Sequence, residues 1–271
     1  MLSGLSGINI ELTSRCNKSC HMCGRRKIEK QYPDLADWGD MPLDMVYKIA
    51  KQIPRGVFIQ LHNSGEPLLY PHLEDAFRVL LKHYKGLNTN GKLLMEKEYT
   101  IRTHLDTITV SVIPDDPDGL DQLEIVERFL EFNIRPVVVF RMLGDIDPYR
   151  TAIIKDMAED FHKTVICHRI LHAPEGSHDY EKPVTIPEIG VCLEMLHKLA
   201  IDRYGNVYPC VRFDPEKKNL LGNVNDHSLD SIWNGPTRRQ WVVDHINGRR
   251  GDVPLCQSCD FWGCPTGRFQ R

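Results

Sequence analysis

The sequence predicts an α/β fold, a partial (β/α)6 barrel followed by a small cysteine-rich module, and three observations predict it. Short apolar runs alternate with amphipathic stretches from residue 8 to about 174, the pattern of βα units around a parallel sheet. After about residue 175 the texture changes to proline, glycine and charge. Most of the nine cysteines fall into two groups, one at each end of the chain.

Taken in order, INIEL (8–12), GVFIQLH (56–62), KGLNTN (85–90), TITVSVI (107–113), PVVVFRML (136–143) and TVICHRIL (164–171) read as strands. LDMVYKIAKQI, HLEDAFRVLLKHY, LEIVERFLEF and RTAIIKDMAEDF, lying between them, carry apolar residues at helical spacing. A full barrel has eight such units, so this one is incomplete. HAPEGSHDYEKPVTIPEIG reads as a linker. Beyond it, KLAIDRYGNVYPCV suggests short strands around a YGN turn, and LDSIWN to RRQWVVDHI suggests a helical run. The expected domains are residues 1–185, the barrel, and 186–271, the cysteine-rich module.

A net charge of −3 gives no electrostatic footprint for duplex DNA or an anionic membrane. No stretch approaches the roughly 20 apolar residues of a membrane helix, and MLSGLSGINIELTSRC lacks the basic start of a signal peptide. The expectation is therefore a cytoplasmic protein with no membrane association, whose cysteines are reduced and serve metal or redox chemistry. Cys167, alone in TVICHRIL, reads as a buried, inert thiol.

Cys16, Cys20 and Cys23 follow the first predicted strand, where barrel folds place their chemistry. A structural zinc site closes with four ligands. Three thiolates on one loop instead suit three irons of a 4Fe–4S cluster, leaving the fourth iron open. The zinc alternative recruits His21 or a remote ligand, but adjacent His21 and Cys20 share one tetrahedral ion poorly.

Cys16-x3-Cys20-x2-Cys23 resembles the signature of the radical S-adenosylmethionine (SAM) superfamily, with Met22 where the family usually has an aromatic residue. NSGEP (63–67) resembles the family's GGEP motif, with Ser64 in place of its first glycine, and NTNG (88–91) resembles its third-strand turn. The resemblance implies a SAM-binding 4Fe–4S cluster on the three cysteines, cleavage of SAM to a 5′-deoxyadenosyl radical, and hydrogen abstraction from an organic substrate. It also implies cofactor contacts from Met22, Ser64, Gly65, Glu66, Ser111 and Arg141, and an external one-electron reductant such as flavodoxin or ferredoxin.

Cys192-x12-Gly205-x4-Cys210, followed by Cys256-x2-Cys259, resembles the SPASM and twitch extensions of that family. Gly205 permits a tight hairpin turn that returns Cys210 toward Cys192. The resemblance implies an auxiliary 4Fe–4S cluster on Cys192, Cys210, Cys256 and Cys259, with Cys264 as a replacement for Cys259, in the one-cluster twitch form. A zinc ribbon is the alternative at these residues.

Strand alternation sends Glu11, Gln60 and His62 to the barrel lumen, and Asn88 lies near a strand end; these four are candidate substrate-facing residues. With Cys16 so near the start, no N-terminal peptide-recognition domain is expected, which favours a small or medium organic substrate. Oxidation (dehydrogenation) or radical rearrangement both suit the architecture. Modification of a peptide or of a nucleotide or nucleic-acid substrate stands as an alternative, and a zinc-stabilised nucleic-acid-binding module as a remote one.

Overall fold

The structure is a computed structural model describing residues 2–132, 134–169, 191–257 and 259. Its strands are β1 (Gly7–Ile10), β2 (Phe58–Leu61), β3 (Lys85–Thr89), β4 (Thr107–Val112), β5 (Val137–Leu143), β6 (Thr164–Arg169), β7 (Lys198–Ile201), β8 (Asn206–Tyr208) and β9 (Gly222–Asn223). Among the described residues they form one sheet in the order β6-β5-β4-β3-β2-β1-β7-β8-β9. Strands β1 to β6 run parallel, as the alternation leads one to expect, and among the described residues helices follow β1 to β5 before the next strand begins. The intervening helices are α1 (Gly24–Gln31), α2 (Leu43–Ala50), α3 (Leu73–Val79), α4 (Glu98–His104), α5 (Gly119–Leu130) and α6 (Pro148–Asp160).

Burial alternates as the sequence pattern requires. On β2, Ile59 and Leu61 are buried against the helices, while Phe58, Gln60 and the following His62 face the lumen half-buried. On β5, Val138, Phe140 and Met142 are buried, and Arg141 faces the lumen. Gly86 on β3 has a packing reason. A Cβ there would lie 2.3 Å from Thr107 Oγ1 and 2.8 Å from Phe58 Cζ, so its absence leaves room for the Phe58 ring low in the lumen.

The expected domain boundary at 185/186 lies outside the described residues. Beyond it, α7 (Leu193–His197) leads into β7, which pairs parallel with β1 and extends the barrel sheet. Strand β8 returns antiparallel through the turn at Gly205, whose φ of 82° favours glycine. The helical run expected from LDSIWN to RRQWVVDHI is two helices, α8 (Leu229–Trp233) and α9 (Pro236–Ile246). Pro236, which has no backbone N–H to continue a helix, disfavours helical backbone at Gly235 and starts α9 afresh.

Cys167 departs from expectation. It is half-buried rather than buried, because β6 is the sheet's edge strand and its lumen face is open. It stands opposite Arg141 in the β5–β6 register.

Candidate active site

The loop after β1 is held before it reaches its cysteines. Thr13 bridges to Asp40, Ser14 N donates to Gly39 O at 2.9 Å, and Gly39 N returns a bond to Ser14 Oγ at 3.0 Å. Lys18 forms a buried ion pair with Asp116, tying the loop to the segment after β4. Cys23 takes the N-cap of α1, its extended backbone (φ −73°, ψ 131°) ending the loop, and its N–H donates to Cys20 O at 3.1 Å.

Cys16 and Cys23 lie close enough to disfavour the Cys20 thiolate, and Cys16 close enough to disfavour that of Cys23. The Cys20 thiol is pushed up to about 11, by burial first and the Cys23 charge second, with Lys18 opposing. Burial also pushes Cys23 up. Such a trio holds its sulfurs as thiolates when bound cations compensate them, and a three-thiolate iron–sulfur site supplies that compensation.

The loop after β2 packs under this trio. Glu66 N donates to Arg15 O at 2.8 Å, and Ser64 N donates to Glu11 Oε1 at 3.0 Å. Gly65 lies so close that a Cβ would stand 2.1 Å from Thr13 O. Glu66 is buried and accepts from Leu68 N (3.1 Å), Thr89 Oγ1 (2.9 Å) and Asn90 N (2.7 Å), joining the β2 and β3 loops. Burial pushes its carboxyl up to about 7 against these bonds. Glu11 spends both oxygens on backbone, on Ser64 N and on Arg203 N at 3.1 Å, so it ties the β2 loop to the β7–β8 turn. Gln60 and Asn88 bond each other across the lumen wall at 2.7 Å.

At the barrel mouth, Met22 packs on Ile113 and Leu143, beyond β4 and at the end of β5. Ser111 and Arg141 are register partners on β4 and β5. Burial, then Arg141 and Arg169, push His62 down to about 3, so its imidazole is neutral across the physiological range. That coupling joins β2 to β5 and β6, which shows that the sheet curls. Arg169 in turn feels Arg212 and Glu194 from the C-terminal module.

Cys192, Cys210, Cys256 and Cys259 line one cavity together with Glu194 and Arg212. Burial pushes the Cys256 thiol up to about 12 and raises Cys210 as well, and the neighbouring cysteines add to the Cys256 shift. Among the described residues, no three His, Cys, Asp or Glu side chains converge closely enough for a single metal ion. Four thiols around a cavity suit a polynuclear cluster. Cys264 lies outside the described residues.

Some neighbours of the site were not among the residues expected from sequence. Asn90, within the NTNG turn, places Nδ2 2.7 Å from Asn17 Oδ1 and 3.9 Å from Cys16 Sγ. Arg169 shares its strand face with Cys167, so alternation alone could have found it. Arg212, two residues past Cys210, had no spacing signal.

A parallel α/β barrel carrying three clustered thiols at its mouth and four around a second cavity defines an iron–sulfur enzyme. The chain matches the Radical SAM superfamily over residues 10–138 and SPASM, an iron-sulfur cluster-binding domain, over residues 192–260. It is 34% identical to the tungsten-containing aldehyde ferredoxin oxidoreductase cofactor-modifying protein of Pyrococcus furiosus, over 93% of this chain and 88% of that one. It is 23% identical to the S-adenosyl-L-methionine-dependent 2-deoxy-scyllo-inosamine dehydrogenase of Niallia circulans, over 94% and 92%. The fold resembles the crystal structure of BtrN in complex with AdoMet and 2-DOIA (TM-score 0.64, 20% identity, 94% of this chain and 93% of that chain). It also resembles Streptococcus suis SuiB bound to precursor peptide SuiA (TM-score 0.69, 12% identity, 96% and 72%). The protein belongs to the radical SAM superfamily. It is an enzyme that uses SAM and a 4Fe–4S cluster, and its C-terminal part carries an auxiliary iron–sulfur cluster.

Proposed function

We propose that the protein is a radical SAM dehydrogenase that oxidises a small or medium organic molecule within the barrel, drawing its reducing electron from an external carrier such as flavodoxin or ferredoxin. One observation carries the reading: the four-cysteine cavity adjoins the lumen. Arg212 and Glu194, which line the cavity, are the electrostatic neighbours of Arg169 on the lumen face of β6. An electron acceptor held there lies beside the substrate space. The dehydrogenase activity named for the Niallia circulans relative supports the same outcome.

Cys16, Cys20 and Cys23 hold the front cluster, and Cys192, Cys210, Cys256 and Cys259 hold the auxiliary one. When bound, the front cluster with SAM supplies a 5′-deoxyadenosyl radical that takes a hydrogen atom from substrate, and the auxiliary cluster supplies a one-electron sink. Arg141 holds the SAM carboxylate, Ser111 its ribose, and Met22 packs against its adenine. The Ser64–Gly65–Glu66 backbone receives the amino group, held in place by Glu11 and by the Glu66 carboxylate. His62, neutral at working pH, orients substrate by hydrogen bonding, and the proton the substrate radical loses as its electron passes to the auxiliary cluster goes to solvent. Gln60 and Asn88, bonded to each other, form the floor of the substrate space. The chain divides into a barrel (1–185) and an auxiliary-cluster module (186–271), and works in the cytoplasm.

Anaerobic incubation with deuterated candidate substrates tests the reading. The true substrate delivers deuterium into 5′-deoxyadenosine and yields a product two hydrogens lighter. A product of unchanged mass identifies rearrangement instead and overturns the dehydrogenase assignment.

A further inference from the structure

Asn219 has no part in the chemistry described so far, yet it is wholly buried beside the auxiliary cavity. Its backbone and its side chain are each fixed by one bond. Asp214 Oδ2 accepts from Asn219 N at 2.9 Å, and Asp214 Oδ1 accepts from Lys218 N at 2.8 Å, locking the preceding turn. Leu255 N donates to Asn219 Oδ1 at 3.1 Å. That bond settles the amide's orientation, because a backbone N–H can face only the carbonyl end. Leu255 and the next residue, Cys256, both line the auxiliary cavity. Nδ2 is buried and has no hydrogen-bond partner among the described residues, sulfur included. The Asn219 side chain is an electrostatic neighbour of Cys256, and its unanswered Nδ2–H is the donor on that side.

We propose that Asn219 is a positioning residue whose Nδ2–H donates to the Cys256 sulfur of the auxiliary cluster and raises that cluster's reduction potential. The proposal rests on the reading that Cys256 is one of the cluster's ligands. A hydrogen bond to a ligating sulfur withdraws electron density and stabilises the reduced, more negative state. The apolar walls of the cavity, Met195 and Leu255 among them, act the other way by disfavouring added charge. Asn219 offsets that penalty where the cluster must accept an electron, and a buried donor otherwise left without a partner gains one.

Potentiometric titration of the anaerobic holoenzyme, followed by electron paramagnetic resonance, tests this. Of two cluster signals, the one that SAM leaves unchanged is the auxiliary cluster. Asn219→Asp keeps the acceptor for Leu255 N but replaces the donor with a carboxylate oxygen. It should move the SAM-insensitive wave to lower potential and leave the SAM-sensitive wave in place. Asn219→Leu should move it in the same direction. An unmoved wave in either variant, with the auxiliary irons retained, overturns the proposal. If both variants lose those irons, pulsed resonance on wild-type protein labelled with 15N in asparagine side chains decides. A 15N coupling to the reduced auxiliary cluster upholds the proposal, and its absence overturns it. Failure of the ligand assignment is separately visible, because Cys256→Ala would then leave the auxiliary cluster's signal unchanged.

Discussion

Alanine at position 65 would place its methyl carbon 2.1 Å from Thr13 O and 2.7 Å from Arg15 O. Both are main-chain atoms, so no side chain can swing aside, and relief requires one loop to move off the other. The bond from Glu66 N to Arg15 O, 2.8 Å in the structure, breaks in the process. Overpacking of this kind costs about 3 kcal/mol, the upper end of the usual range, because backbone must shift. At roughly 2–4 °C per kcal/mol for a domain of this size, the midpoint of thermal unfolding should fall by about 6–12 °C. Because the same movement separates the cysteine loop from the loop proposed to receive the SAM amino group, 5′-deoxyadenosine formation should fall as well. Gly251→Ala is the control, since a Cβ there meets nothing within 4 Å. Circular dichroism melts of both variants under anaerobic conditions, beside a SAM-cleavage assay, make the comparison. Gly65→Ala melting within about a degree of wild type, with unchanged cleavage, would refute the packing of the two loops.

Two further outcomes follow from the site. The Glu66 carboxyl, raised from 4.5 to about 7, binds its proton more tightly folded than unfolded. Its contribution is therefore most favourable below about pH 4.5 and falls by about 3 kcal/mol as pH rises to about 7, levelling above that. Urea titrations of wild type and Glu66→Gln across that interval should show wild type losing stability relative to the variant, and parallel profiles would contradict the burial argument. Anaerobically reconstituted protein should hold about eight irons, and a Cys16/Cys20/Cys23→Ala variant about four. Tightly bound zinc with negligible iron would contradict both cluster assignments.

The barrel strands were legible because one face of each packs on helices and the other on the lumen. PVVVFRML on β5 is a nearly continuous apolar run bounded by proline, and its burial alternates residue by residue as a strand requires. Helix α1 was not legible: its GRRKIEKQ sequence buries only Arg25, whose guanidinium sits 4.2 Å over the Trp38 ring, a partner set by tertiary contact. Nor could spacing reveal that β7 pairs parallel with β1, a contact between strands some 190 residues apart in sequence. In the site, thiol spacing carried the front and back cysteines because metal geometry constrains local sequence. The Glu11 reading came from alternation alone, and the structure commits that side chain to two backbone N–H groups. Arg169 and Arg212 become neighbours only once the sheet curls, and Asn219 gains its meaning only from the Leu255 bond that orients it.

Division of labour between the two cysteine sites is tested most directly by SAM cleavage in three proteins, wild type, Cys20→Ala and Cys192→Ala/Cys210→Ala, each reduced anaerobically with SAM and substrate. Iron content and circular dichroism are read first, because metal binding couples to folding in small modules. Wild type should yield 5′-deoxyadenosine and oxidised product. Cys20→Ala should yield neither, since two thiolates cannot retain the front cluster. The folded Cys192→Ala/Cys210→Ala variant should still yield 5′-deoxyadenosine while product formation fails. Wild-type cleavage by Cys20→Ala, or normal product from the variant lacking the auxiliary cluster, would contradict the account.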